Sequence, residues 1–283
     1  MRRPTHTIRI LIGVAAGGLG CSNRTLMAVD PCSLGSTVLD GATCLSSGDG
    51  MSPDRPDATT LRMGLVGLWH FDETPGAVVA GDSSGNGNDG ILVQLDPASA
   101  WVTNGHAGNA LSVGGVGYVQ VAASPSIESI VTGVTMSAWV YLDGTVMDYG
   151  TALSRQLGTA IDQYYHLALW QTEGEPSLWI NQSTDTAATH AFLSAATSPK
   201  SWTHLAGTYD GKAATLYVGG IQVASLPTKG SFAMDTTTPL ILGGNTNGTT
   251  VSERFPGRID EIALYNRALD ASEIQRLANG ASF

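Results

Sequence analysis

The chain has 283 residues, 42% of them hydrophobic and 13% charged, with 35 glycines against 12 prolines. It is long enough to bury one large core, and its low charge and many Gly, Thr, Ser and Val residues exclude a helical bundle or a disordered chain in favour of short strands joined by tight turns. A net charge of −10, with no Lys/Arg cluster in the body of the chain, argues against a nucleic-acid partner, since the phosphate backbone recruits cations. It suits solubility, cation binding and neutral partners such as sugars.

The first segment, "MRRPTHTIRILIGVAAGGLGC", starts with Arg2, Arg3 and Arg9, runs through an apolar stretch from Ile10 to Leu19, and closes on Gly20 before Cys21. This reads as a secretion signal over residues 1–20, too short to span a bilayer. "GGLGC" resembles the lipobox of bacterial lipoproteins, although Gly18 stands where that pattern usually has Leu. The resemblance implies that Cys21 is the lipidated first residue of the mature chain. The protein is then held at the outer membrane or cell surface by the lipid anchor alone, with free secretion as the alternative.

Residues 21–63 read as a tether. Cys32 and Cys44 enclose "CSLGSTVLDGATC" and are expected to form a disulfide in an oxidising compartment. Such a bridge would contribute about 3 kcal/mol by loop-closure entropy; two free thiols in a tether are the alternative. The stretch 45–62, "LSSGDGMSPDRPDATTLR", is polar and aperiodic.

From Gly64 the pattern changes. Short β-prone runs such as "GLVGLWHF", "YVQV", "VTMSAWVYL", "YYHLALW", "WTHLAGTYD" and "PLILGG" are separated by Gly, Asp, Asn, Ser and Pro. In "MSAWVYL", Met136, Ala138, Val140 and Leu142 share one face, with Ser137, Trp139 and Tyr141 on the other. "LYVGGIQVAS" predicts a hairpin turning at Gly219-Gly220. Only "LDASEIQRLAN" reads as a helix, with Asp270 or Ser272 as cap and Gly280 as stop. The fold class is therefore all-β: a two-sheet antiparallel sandwich with a short C-terminal helix.

Four stretches carry a family resemblance: "GLWHFDETPGAVVAGDSSGNGNDGIL", "VTMSAWVYL", "WTHLAGTYDGKAATLYVGGIQV" and "FPGRIDEIALYNRALDASEIQRLA". In this order, residues 64–283 resemble the laminin-G-like jelly-roll domains of the concanavalin A-like lectin/glucanase superfamily, common in bacterial surface proteins. The resemblance implies the jelly-roll sandwich and leaves the function open.

The loop "DSSGNGNDG" raises the question of calcium, which takes six to eight hard oxygens. Asp82, Ser84 and Asn86 fall at positions one, three and five, Gly87 at six and Asn88 at seven. Position twelve is Val93 rather than Glu, so this is not an EF-hand, and a second carboxylate must come from elsewhere. Strand parity in "GRIDEIALY" puts Asp260 on the face of Ile262 and Leu264, where a charge is costly unless coordinated. The expectation is a structural Ca2+ held by Asp82, Asn86, Asn88 and Asp260; a plain Gly-Asn turn is the alternative. The family resemblance implies the same pairing of regions.

No catalytic residue is assigned. Glycosidases of this fold need two acids across the sugar bond, and adjacent Asp260 and Glu261 are expected on opposite faces of their strand. The histidines are scattered, and no zinc-protease, serine-hydrolase or phosphate-loop motif occurs. The expected role is a non-catalytic binding module for carbohydrate. A surface protein is the alternative partner, and a degenerate glycosidase relative the third reading. Trp101, Trp170, Trp179, Tyr164 and Tyr165 offer rings for sugar stacking, with Trp101 and Trp179 expected to be the freer ones.

Overall fold

The computed structural model describes residues 58–143, 149–157, 163–170, 174–181, 189–192, 200–232, 236–246 and 250–281. The signal, Cys21, Cys32 and Cys44 lie outside the described residues. In chain order the strands are β1 (Leu65–Trp69), β2 (Val79–Ala80), β3 (Gly90–Val93), β4 (Trp101–Thr103), β5 (Asn109–Ser112), β6 (Tyr118–Val121), β7 (Val134–Leu142), β8 (Tyr149–Leu157), β9 (Gln163–Trp170), β10 (Glu175–Asn181), β11 (Thr189–Phe192), β12 (Trp202–Tyr209), β13 (Ala213–Val218), β14 (Ile221–Pro227), β15 (Leu240–Leu242), β16 (Asn245–Thr246), β17 (Val251–Ser252) and β18 (Gly257–Tyr265). Among the described residues four short helices accompany them: α1 (Ala58–Arg62), α2 (Pro97–Ala100), α3 (Pro125–Glu128) and α4 (Ala271–Ala278).

Two eight-stranded antiparallel sheets form the sandwich. The first runs β14-β13-β12-β7-β18-β5-β4, with β1 also paired to β18; the second runs β11-β10-β9-β8-β15-β6-β3-β2. The alternation in β7 sets the layers as its sequence predicts: Met136, Ala138, Val140 and Leu142 face the core between the sheets. Leu153, Leu167, Leu178 and Ile180 meet them from the second sheet. A buried ion pair, Arg155 with Glu128, also lies within the sandwich, and Arg155 Nε donates to the Thr238 carbonyl at 3.2 Å.

A second, smaller apolar cluster covers the outer face of the first sheet. Leu61 of α1 and Leu269, Ile274 and Leu277 around α4 pack on Leu68, Ala263, Tyr265 and Tyr217. Residues 58–62, expected within the tether, thus form a helix whose Leu61 is buried, because the sheet offers it an apolar seat. Helix α4 starts with a capping box between Asp270 and Glu273, so Asp270 rather than Ser272 is the cap. Arg267 ties α1 to α4 through the Thr60 carbonyl (2.8 Å) and Glu273 (2.7 Å). The hairpin turns at Gly219-Gly220, both at positive φ (57° and 79°). A Cβ on Gly220 would lie 3.0 Å from the Ala278 Cβ, so the turn also makes room for α4.

Candidate functional site

The loop Asp82–Gly90 finishes one edge of a strand. Among the described residues, β1 pairs with β18 along one side only. Along its other side, Leu68 N donates to Asp82 Oδ1 (3.0 Å) and Ser83 N donates to the Leu68 carbonyl (2.8 Å). The Val66 carbonyl accepts from Ser84 Oγ (3.1 Å), Asn86 Nδ2 (3.1 Å) and Asn88 Nδ2 (2.7 Å). Asp82 further accepts from Ser84 N, Ser84 Oγ and Asn88 N at 2.8–2.9 Å. Asp82, Asn86 and Asn88 therefore come together, as a polar clasp that blunts an exposed strand edge. Asp260 lies on β18, beyond the opposite side of β1.

A β-bulge decides where Asp260 points. The register with β7 shifts between Asp260↔Trp139 and Ala263↔Ser137, and Glu261 takes a φ of 47°. Ile259 faces the core, Ile262 resumes that direction after the bulge, and Asp260 shares the outer side with Trp139. Two expectations are corrected here. Asp260 does not share the face of Ile262 and Leu264, and Glu261 does not oppose it: the extra residue shifts the period-2 count, which parity from the sequence cannot register. Asp260 is fully buried. Its Oδ2 accepts from His106 N (2.7 Å) and Ala107 N (3.0 Å), and its Oδ1 from Glu261 N (2.9 Å). Burial pushes its carboxyl up to about 7, against the pull of these amides. The backbone fits tightly there: a Cβ on Gly105 would sit 2.0 Å from the Asn109 carbonyl oxygen. Glu261 holds His70 Nδ1 at 2.9 Å and thereby raises the His70 pKa.

The outer face of the second sheet brings together a different set. In β10, Leu178 and Ile180 face the core, so half-buried Trp179 turns outward. Its ring meets that of Tyr149 edge-on at 6.0 Å, and Tyr149 meets His166 at the same separation. His166 Nε2 lies 2.7 Å from Thr151 Oγ1 and 3.8 Å from Glu253 Oε2, while Asn245 Nδ2 donates to Glu253 Oε2 at 2.9 Å. Trp101 is the correction among the expected stacking rings. It is 5% exposed, packs in the core, and donates its indole N–H to the Ala77 carbonyl at 2.8 Å. Its three-residue strand β4 ends the first sheet, but α2 before it seats the ring inward. Tyr165 is also fully buried, while the side chains of Tyr164 and Trp170 lie outside the described ones. Tyr149, His166, Glu253 and the His70–Glu261 pair were not singled out from sequence. The only signal was the outward parity of His166 beside "LAL".

Residues 113–275 match the family Laminin_G_3 of the concanavalin A-like lectin/glucanases superfamily. The chain belongs to this family. No curated protein sequence matches this laminin-G-like chain. Among solved structures it is similar to domain 4 of AbnA, a GH43 extracellular arabinanase from Geobacillus stearothermophilus, in complex with arabinotriose. The identity is 20% and the TM-score 0.59, covering 76% of this chain and 98% of that one. It is also similar to the binding domain of Paraclostridial Mosquitocidal Protein 1 (19% identity, TM-score 0.57, 78% of this chain and 53% of that one). A third is the binding domain of botulinum neurotoxin DC in complex with rat synaptotagmin II (10% identity, TM-score 0.56, 79% and 53%). The laminin-G-like chain thus spans about half the length of the two toxin domains, and at these identities the likeness concerns the fold.

Proposed function

We propose that this laminin-G-like domain is a non-catalytic carbohydrate-binding module, exported and tethered at the cell surface by a lipid on Cys21. The observation that carries the reading is the Tyr149–Trp179 ring pair beside His166 and Glu253 on the outer face of the second sheet. The half-buried rings give apolar contact and the part-exposed Glu253 carboxylate an acceptor for hydroxyls, which suits the apolar faces and hydroxyl rims of sugars. The arabinotriose complex of the similar AbnA domain supports the same ligand class. Asp260 supports the non-catalytic reading: a fully buried carboxyl bonded to three backbone amides is not placed to flank a glycosidic bond together with Glu261. Affinity electrophoresis in gels containing arabinan, xylan or mannan tests the reading. Retardation by at least one polymer that weakens in Trp179→Ala supports it; wild-type mobility unchanged in every polymer rejects it.

A protein partner is the second reading. It is favoured by the exposed apolar residues Val79 (38%) and Ile91 (61%), which pair across β2 and β3, and by adjacent Val78 (56%). Calcium at Asp82, Asn86 and Asn88, with Asp260, is a further part of the proposal. The ion would replace hydrogen bonds that now saturate Asp82, and β1 stands between the loop and β18. Thermal unfolding in excess calcium and then in excess chelator decides it. A ligand of the folded state adds about 2.7 kcal/mol at a hundredfold excess over its Kd, so coincident curves remove calcium from the account.

A further inference from the structure

The bulge in β18 leaves a groove of about 390 Å³ on the outer face of the first sheet, within the range of small-molecule sites. Its floor is made of small or apolar side chains, Leu68, Ser137 and Ala263. One wall is the end of α4, at Leu277 and Gly280. The other is an aromatic stack, His106 lying on Trp139 with ring centroids 3.4 Å apart and planes 10° from parallel. At the rim, Glu261 and His70 form their pair, which uses His70 Nδ1 and directs Nε2 elsewhere. Beneath, Ser137 Oγ is held 2.9 Å from His204 Nε2.

The chemistry of this groove selects its ligand. The Glu261 carboxylate at the rim disfavours an anion, and His70 beside it offsets the pull on a cation. An apolar floor, a flat aromatic wall and a rim carrying both donor and acceptor match a ring with one apolar face and a hydroxyl edge. We propose that this groove is a second saccharide subsite, which makes the module bivalent toward neutral glycans, with one subsite on each outer face of the sandwich. The proposal rests on the carbohydrate reading above and extends it to a surface that Trp179 does not touch. Bivalence would let a polymer bridge two copies or gain avidity on one, by a factor of about a hundred or more where geometry permits.

The test is a calorimetric and 15N NMR titration of the full chain with arabinotriose, xylotriose, cellotriose and mannotriose. Variants Trp179→Ala, Glu261→Gln and Ala107→Trp are titrated alongside. Ala107 is exposed at the groove, so tryptophan there obstructs it from the surface without entering the core; thermal melts verify that each variant folds. The expected result is two sites per chain for at least one trisaccharide, with shifts at the amides of His106 and Glu261 and at the Trp139 indole. Ala107→Trp and Glu261→Gln then each leave one site, and Trp179→Ala leaves the other. A single site lost in Trp179→Ala and untouched by Ala107→Trp overturns the groove and leaves the carbohydrate reading standing. A single site lost in Ala107→Trp alone overturns the bivalence and removes Trp179 from the account. No shift with any trisaccharide overturns both.

Discussion

Both sheets turn one face onto the same core, yet their outer faces are finished differently. The first sheet is roofed at one end by α1 and α4, which bury Tyr265, Tyr217 and Ala263, and is left with a groove where that roof stops. The second sheet carries the half-buried rings of Tyr149 and Trp179, part-exposed Glu253 beside buried Thr151 and His166 and, toward its β2 edge, exposed Ile91. Alternation produces an outer face on every strand; what covers it depends on distant segments. The roofed face should therefore contribute mainly stability and the other mainly recognition.

The contrast is most exposed to failure at Ile274, fully buried between α4 and the first sheet. Ile274→Ala should lower the unfolding free energy by about 2–5 kcal/mol in urea titrations, the usual range for a buried aliphatic cut to alanine. A loss below about 1 kcal/mol would mean that the roof does not stabilise the sheet. Next comes His204, 1% exposed on the roofed side, where burial pushes its pKa down to about 3. The unfolded chain takes up this proton near pH 6.5 and the folded chain refuses it. Stability should therefore fall as pH drops from about 6.5 toward 3, by up to about 1.4 kcal/mol per unit. In His204→Gln that part of the slope should vanish; parallel pH profiles would refute the assignment.

Asp82→Ala should cost about 1–3 kcal/mol, since it leaves the Leu68 and Asn88 amides without their acceptor. Hydrogen exchange should accelerate first at Leu68, and unchanged protection there would show that the clasp is dispensable. The smallest stability effect belongs to Trp179→Ala, below about 1 kcal/mol in the same urea titrations because the ring is half-buried on the outer side. A loss comparable to that of Ile274→Ala would place Trp179 among the structural residues and dissolve the contrast.

The layer assignment of β7, the Gly219-Gly220 hairpin and the capped last helix were all legible in the sequence. Each depends on neighbours within a turn or a strand, where period and local φ preferences act directly. The site was legible only in fragments. Trp179 was reached by its surroundings in sequence, whereas Trp101 looked equally free, and nothing in "ASAWVT" says that its ring is drawn into the core. Asp82, Asn86 and Asn88 were recognised as a set, but their partner turned out to be the backbone of β1, roughly twenty residues earlier in the chain.

By itself, then, the sequence determined the all-β class, the strand periodicity and the ends of its last helix, because these follow from short-range sterics and the hydrophobic pattern. Tertiary structure alone decided which side of β18 Asp260 occupies, since one inserted residue in the ladder reverses every parity argument beyond it. It also decided the meeting of His70 with Glu261 across 191 residues and the stacking of His106 on Trp139. Those contacts are set by sheet order and register, long-range quantities that no local pattern encodes.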